Sequence, residues 1–156
     1  MFQQDEILKN LIDGIAFEIG EYFQGVNYVV EIDVTILPCQ DESSLISIIN
    51  ANVGLLKAEK EYLKQIEFHA AKNKLFELLA SKELNSNRNN SLTNGSKAKQ
   101  RISKLFELTQ QYLRPGKLSC FTYNGAMNIG IFWELLIILY SPEKNEVILL
   151  KCSASD

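Results

Sequence analysis

Ile129-Gly-Ile-Phe-Trp-Glu-Leu-Leu-Ile-Ile-Leu-Tyr140, followed by Ser141-Pro-Glu-Lys-Asn145 and then Glu146-Val-Ile-Leu-Leu-Lys-Cys-Ser153, is the stretch that decides the fold. Two runs rich in isoleucine, leucine and valine flank a proline- and asparagine-bearing turn, the pattern of a β-hairpin. The segment Phe132 to Leu139 is apolar at consecutive positions except Glu134, so neither of its faces suits water. It predicts a central strand covered on both sides, by helices or by a partner. Upstream, Leu118 to Tyr123 reads as a further strand, separated from this one by Asn124-Gly125, which gives two successive hairpins.

Ahead of the hairpins the period changes. From about Gln4 to Phe23 the residues Ile7, Leu8, Leu11, Ile12, Ile15, Ile19, Tyr22 and Phe23 recur at three- and four-residue steps, which predicts a helix ended by Gly25. Asn27 to Leu37 then alternates and stops at Pro38. Its pattern places Val30, Ile32, Val34 and Ile36 on a core face and Glu31, Asp33 and Thr35 on a wet one. Asp41, Glu42, Ser43 and Ser44 offer N-cap chemistry for a helix from about Leu45, with a break at Asn50 to Gly54. A long amphipathic helix is predicted from Leu55 to about Ser81, with Leu55, Leu56, Tyr62, Leu63, Ile66, Ala70, Phe76 and Leu79 on its apolar side. Residues 85–96, which contain five asparagines, read as a surface loop. A last helix runs from about Lys97 to Leu113, burying Ile102, Leu105, Phe106, Thr109, Tyr112 and Leu113, and Pro115-Gly116 ends it.

The order α-β-α-α-α-β-β-β is that of an α+β fold, with an antiparallel sheet of about four strands packed by three to four helices. The 156 residues suit a single domain, and 46% hydrophobic with 22% charged residues supply a core that needs no metal or disulfide. Cys39, Cys120 and Cys152 are odd in number and far apart, which argues against a disulfide framework and for a reducing compartment. The start, Met1-Phe2-Gln3-Gln4-Asp5-Glu6, lacks the basic region of a secretory signal, and the stretch Ile131 to Tyr140 is about ten residues, short of the roughly 18 that cross a bilayer. Together these readings predict a cytoplasmic protein.

Charge is distributed unevenly. Up to Glu42 there are nine acidic residues against the single base Lys9, whereas from Lys57 to Lys117 thirteen bases face six acids; the net charge of −3 hides the division. An acidic surface made of Glu18, Glu21, Glu31, Asp33, Asp41 and Glu42 would steer association with a basic partner, another protein whose positive cleft it masks. The alternative is that the acidic and basic regions neutralise each other within the fold. In character, though with no shared motif, the chain is similar to bacterial toxin-immunity proteins, which are small, acidic, intracellular inhibitors. A toxin domain is the partner that this similarity implies, and self-association through the C-terminal sheet is the other contact left open.

Catalytic signatures are sparse. His69 is the only histidine, the cysteines lack zinc-type spacing, and no phosphate-binding glycine loop, nucleophile elbow or dinucleotide fingerprint occurs, so no cofactor is implied. A carboxylate- and metal-dependent hydrolase such as a nuclease would have to draw on Glu31, Asp33, Glu134 and Lys151. A nucleic-acid module would use the basic segment 88–117, with Arg88, Lys97, Lys99, Arg101, Lys104, Arg114 and Lys117 on phosphates.

Overall fold

The structure, a computed structural model, describes residues 2–22, 29–52, 58–83, 91–114, 116–124 and 131–155. In chain order it contains α1 (Phe2–Tyr22), β1 (Val29–Pro38), a 3-10 turn (Glu42–Ser44), α2 (Leu45–Asn52), a second 3-10 turn (Lys60–Tyr62), β2 (Leu63–Ile66), α3 (Phe68–Glu83), α4 (Ser91–Tyr112), β3 (Ser119–Tyr123), β4 (Ile131–Ser141) and β5 (Glu146–Ser155). The five strands form one sheet in the order β1-β5-β4-β3-β2, every neighbouring pair antiparallel. The fold is α+β, with five strands where the hydrophobic pattern indicated about four.

The doubly apolar stretch is the middle strand, and the alternation of its side chains feeds two cores. Ile137 and Leu139 of β4 join Ile148, Leu150 and Cys152 of β5 and Cys120 of β3 on one side, under α1, α3 and α4. Leu136, Ile138 and Tyr140, with Val147, Leu149, Phe121 and Tyr123, face the other side, which Leu45 and Ile49 of α2 cover. A strand buried on both faces has no use for alternation, and its sequence shows none. On α1, Leu8, Ile12, Ala16 and Ile19 are buried, but Ile7 and Leu11, expected on the same stripe, are exposed. All six residues expected inside α4 are buried.

Of the long helix expected over residues 55–81, residues 55–57 lie outside the described residues and 58–66 are not α-helix. Leu63–Ile66 is a strand rather than helix, paired from Leu63↔Tyr123 to Ile66↔Cys120. Two apolar residues three apart share a side of a helix but lie on opposite sides of a strand. Here each side has a core to offer: Leu63 packs on the α2 side and Ile66 on the α1/α3/α4 side. The approach to β2 is pinned by hydrogen bonds from Ala58 N to Asn50 Oδ1 (2.6 Å), Glu59 N to the Tyr123 hydroxyl (3.0 Å) and Asn124 N to Tyr62 O (3.0 Å). The helix resumes at Phe68, where Phe68 meets Phe106 edge-on at 5.4 Å.

Part of the expected asparagine-rich loop is helix instead. Residues 91–96 are the first turns of α4, and 85–90 lie outside the described residues. Extending a helix already held by the packed Ile102–Leu113 segment costs far less than nucleating one, so weak formers such as Asn94 and Gly95 are carried along.

Two local features yield stability predictions. Thr122 of β3 is fully buried, and its hydroxyl has no hydrogen-bond partner among the described residues. Thr122→Val keeps the shape and removes the orphaned group, so urea unfolding should show a gain of about 1 kcal/mol. A loss of that size would reveal a partner for the hydroxyl. Gly116, beyond the end of α4, has φ +108°, and a side chain there would also collide with the Glu143 carboxylate. Glu143 is exposed and can swing away, so the backbone is the lasting obstacle. Gly116→Ala should therefore cost about 1–2 kcal/mol, and adding Glu143→Ala should recover little of it.

Candidate functional site: an acidic groove beside the first strand

Among the described residues β1 ends the sheet, bonded to β5 on one side. Along its other side lies a cavity of about 650 Å³, walled by α1 and reaching Asn52 at the end of α2. Consecutive β1 residues from Glu31 to Thr35 line it, although alternate side chains of a strand point to opposite faces. The cavity therefore follows the edge of the strand and reaches both faces of the sheet.

Its charge comes from two elements. Glu31 and Asp33 project from β1, where burial of Ile32 on the core side turns its neighbours outward. Asp13 and Glu21 project from α1 with Phe17 between them, at successive four-residue steps that put all three on one helix face. Phe17 is 70% exposed, the most exposed of the large hydrophobic side chains among the described residues. Gly20 also lines the cavity. Partial burial raises the Asp13 carboxyl above its ordinary range. Lys151, opposite Asp33 in the β1–β5 register, is the only cation among the described lining residues, against four carboxylates.

Three of the six expected site residues, Glu21, Glu31 and Asp33, meet in this groove. Glu18 turns toward α4 and pairs with Arg101 at 3.1 Å. Asp41 is the cap of the 3-10 turn: its carboxylate accepts from Ser44 N (3.0 Å) and from the Ser43 and Ser44 hydroxyls (2.6 and 2.8 Å). Those hydroxyl bonds, the Ser43 bond foremost, hold it below the usual carboxylate range. Glu42 lies in the same turn, exposed. The expected surface is thus divided between a groove, an ion pair and a cap. Sequence reading missed Asp13 and Phe17, although the Asp13-Phe17-Glu21 spacing carried the signal. Sorting residues into apolar and acidic sets separated members of one helix face.

Internal neutralisation is partial. Salt bridges join Glu6 to Lys9, Glu18 to Arg101, and Asp5 and Glu146 to Lys144, but among the described residues none reaches Asp13, Glu21, Glu31 or Asp33. Several basic side chains of α4 have neighbours of their own. Arg101 is paired with Glu18, Lys104 with Glu107 at 3.6 Å, and Lys99 lies 5.1 Å from the centre of the Phe76 ring. Arg88 lies outside the described residues.

The residues expected for a carboxylate hydrolase are placed by the strand register. The register sets Asp33 opposite Lys151, and two residues along β5 it sets Glu31 and Glu134 on either side of Ser153. Among the described residues no group of three histidine, cysteine, aspartate or glutamate side chains is placed to hold a metal ion. His69 is exposed on α3, and all three cysteines are buried with free thiols. Burial pushes the Cys120 thiol up to about 12 and raises Cys39 and Cys152 as well, which keeps them protonated and unreactive at neutral pH. Among the described residues, no helix is long and apolar enough to cross a membrane.

No family model matches the chain, and no curated relative does either. Two crystal structures of citrus MAF1, in space groups P 31 2 1 and C 2 2 21, superpose with TM-scores of 0.59 and 0.60, at 9% and 10% sequence identity. Each match covers 90% of this chain and 98% of the citrus protein. At that identity the likeness is one of fold: this chain has an α+β architecture similar to that of citrus MAF1.

Proposed function

We propose that this chain is a protein-binding module whose acidic groove receives a positively charged partner. The observation that carries the reading is the convergence of Asp13, Glu21, Glu31 and Asp33 on one cavity with no internal ion pair among the described residues. Carboxylates gathered around a concavity focus their field into it, which raises the encounter rate with a cationic surface. Phe17 adds an exposed aromatic anchor of the kind that carries binding energy once it is desolvated. An inhibitor that occludes a basic cleft needs such a surface and no catalytic group of its own, and a toxin-neutralising, immunity-type protein acting in the cytoplasm is one such inhibitor.

The test is quantitative capture from an extract of the native cells, comparing the wild-type chain with Glu31→Lys/Asp33→Lys at several salt concentrations. Partners with basic surfaces should be retained by the wild type, released as salt rises, and depleted on the variant. An identical set of retained proteins on both baits would overturn the reading.

A further inference from the structure

We infer that the groove accepts its partner by strand addition: an extended segment, with lysine or arginine alternating with apolar residues, pairs along the free edge of β1. The inference rests on the reading of a basic protein partner and specifies how that partner is held.

β1 is a ten-residue strand with an unbroken register against β5, from Val29↔Ser155 to Pro38↔Glu146. The usual devices that keep sheet edges from pairing are short length, lysines, bulges and interior prolines. β1 lacks these four, since its proline is its last residue, it contains no lysine, and the register shift in the sheet lies between β4 and β5; what guards it is the charge of Glu31 and Asp33, which repels acidic or like strands and admits a basic one, and α1, which stands across the cavity. The opposite edge, β2, is four residues long and carries Lys64. Among the described residues, no backbone hydrogen bond outside the sheet ladder reaches Val29–Pro38. Among the described residues the outer edge of β1 is therefore unpaired, and Glu31 to Thr35 of that strand line the cavity of about 650 Å³ beside it.

The side chains of β1 define the occupant. In an added strand, alternate residues extend the two faces of the sheet. On one face they meet Glu31 and Asp33, which calls for cations; on the other they lie beside Ile32 and Val34, near Phe17 of α1, which calls for apolar groups next to the sheet, with Asp13 and Glu21 flanking Phe17 and adding to the preference for a basic segment. The same charges disfavour a second copy of the chain paired about the middle of the acidic stretch. A two-fold axis at Ile32 would set Glu31 opposite Asp33, and an axis at Asp33 would set the two Asp33 carboxylates together, either being repulsive.

The experiment uses the full chain and fluorescently labelled, end-capped peptides followed by anisotropy and hydrogen exchange. The probe is a decapeptide of alternating lysine and valine. Comparators are the same composition with the lysines and valines in separate blocks, and two versions backbone-methylated at one or the other alternate set of nitrogens. The alternating peptide should bind and protect alternate amides of β1. Blocking the order, or methylating the set that faces β1, should weaken binding at least tenfold, and methylating the other set should leave it intact. Equal binding of all lysine peptides would overturn strand addition while leaving the basic-partner reading standing, because charge alone would then suffice. Failure of every lysine peptide to bind would overturn strand addition as well, and cell-extract capture decides the broader reading separately. A dimer with β1 amides already protected, without added peptide, would also overturn it by assigning the edge to a second copy.

Discussion

Replacing Lys144 with alanine should lower stability by about 3 kcal/mol, because its side chain joins three elements at a partly buried point. Nζ donates to the backbone carbonyl of Tyr112 at 2.5 Å, at the end of α4, and lies 3.7 Å from the centre of the Tyr112 ring. It also reaches Asp5 of α1 at 3.2 Å and Glu146 of β5 at 3.9 Å. The side chain is only 19% exposed. The turn that presents it is held in turn by Lys144 N donating to Ser141 Oγ and Ser141 Oγ donating to Leu113 O, so the β4–β5 hairpin is tied to the same helix end. An exposed ion pair contributes at most about 1 kcal/mol. Lys144 combines a helix-end carbonyl, two carboxylates and an aromatic face, and its loss would leave Asp5 and Glu146 without their shared cation. For a chain of this length the melting midpoint should fall by roughly 6–12 °C. Lys144→Met keeps the aliphatic stem on the ring and should recover part of the loss; a shift below about 2 °C in the alanine variant would reduce the cluster to an ordinary surface pair.

The same cluster predicts a response to alkali. Burial first, then donation of its hydroxyl to Glu146 at 2.9 Å and the charges of Glu146, Asp5 and Glu6, raise Tyr112 above the ordinary phenol range. The folded state keeps the proton that the unfolded chain releases near pH 10. This contribution to stability is therefore intact below about pH 10 and is lost as pH rises through the raised folded value. Tyr112→Phe should flatten that part of the stability–pH curve.

Charge reversal in the groove should act on binding far more than on folding. With Glu31→Lys/Asp33→Lys, two attractive contacts become two repulsive ones, and affinity for the captured basic partner should fall roughly 100-fold. Most of the change in association rate should disappear at high salt, because steering by exposed charges is screened over about a Debye length. Folding should be little affected. Both side chains are exposed, and the one contact made worse is across the β1–β5 pair, where a cation in place of Asp33 would face Lys151. That like-charge pair across the strands should cost at most about 1 kcal/mol. A melting midpoint within a few degrees of wild type, together with undiminished affinity, would remove the groove from the binding surface.

Much of the fold was legible in the sequence because its signals are local. The three- and four-residue recurrence of α4 placed Ile102, Leu105, Phe106, Thr109, Tyr112 and Leu113 inside, and all are buried. The doubly apolar run in β4 marked the strand with neighbours on both sides and cover on both faces. In the groove, the alternation of β1 turned Glu31 and Asp33 outward. Leu63–Ile66 was not legible. Four residues with two apolar side chains three apart satisfy either period, and only the open edge of β3 and the two waiting cores select the strand.

The acidic residues divide in the same way. Sequence alone determined that negative charge gathers near the beginning of the chain and that the helix and strand carrying it each have a wet face, because composition and side-chain period are properties of neighbouring residues. Tertiary structure decided which carboxylates remain available: it drew Glu18 to Arg101 and Asp5 to Lys144 while leaving β1 at the sheet margin beside Phe17. Those pairings join residues far apart in the chain, and they depend on how helices and strands are stacked, which no local pattern encodes.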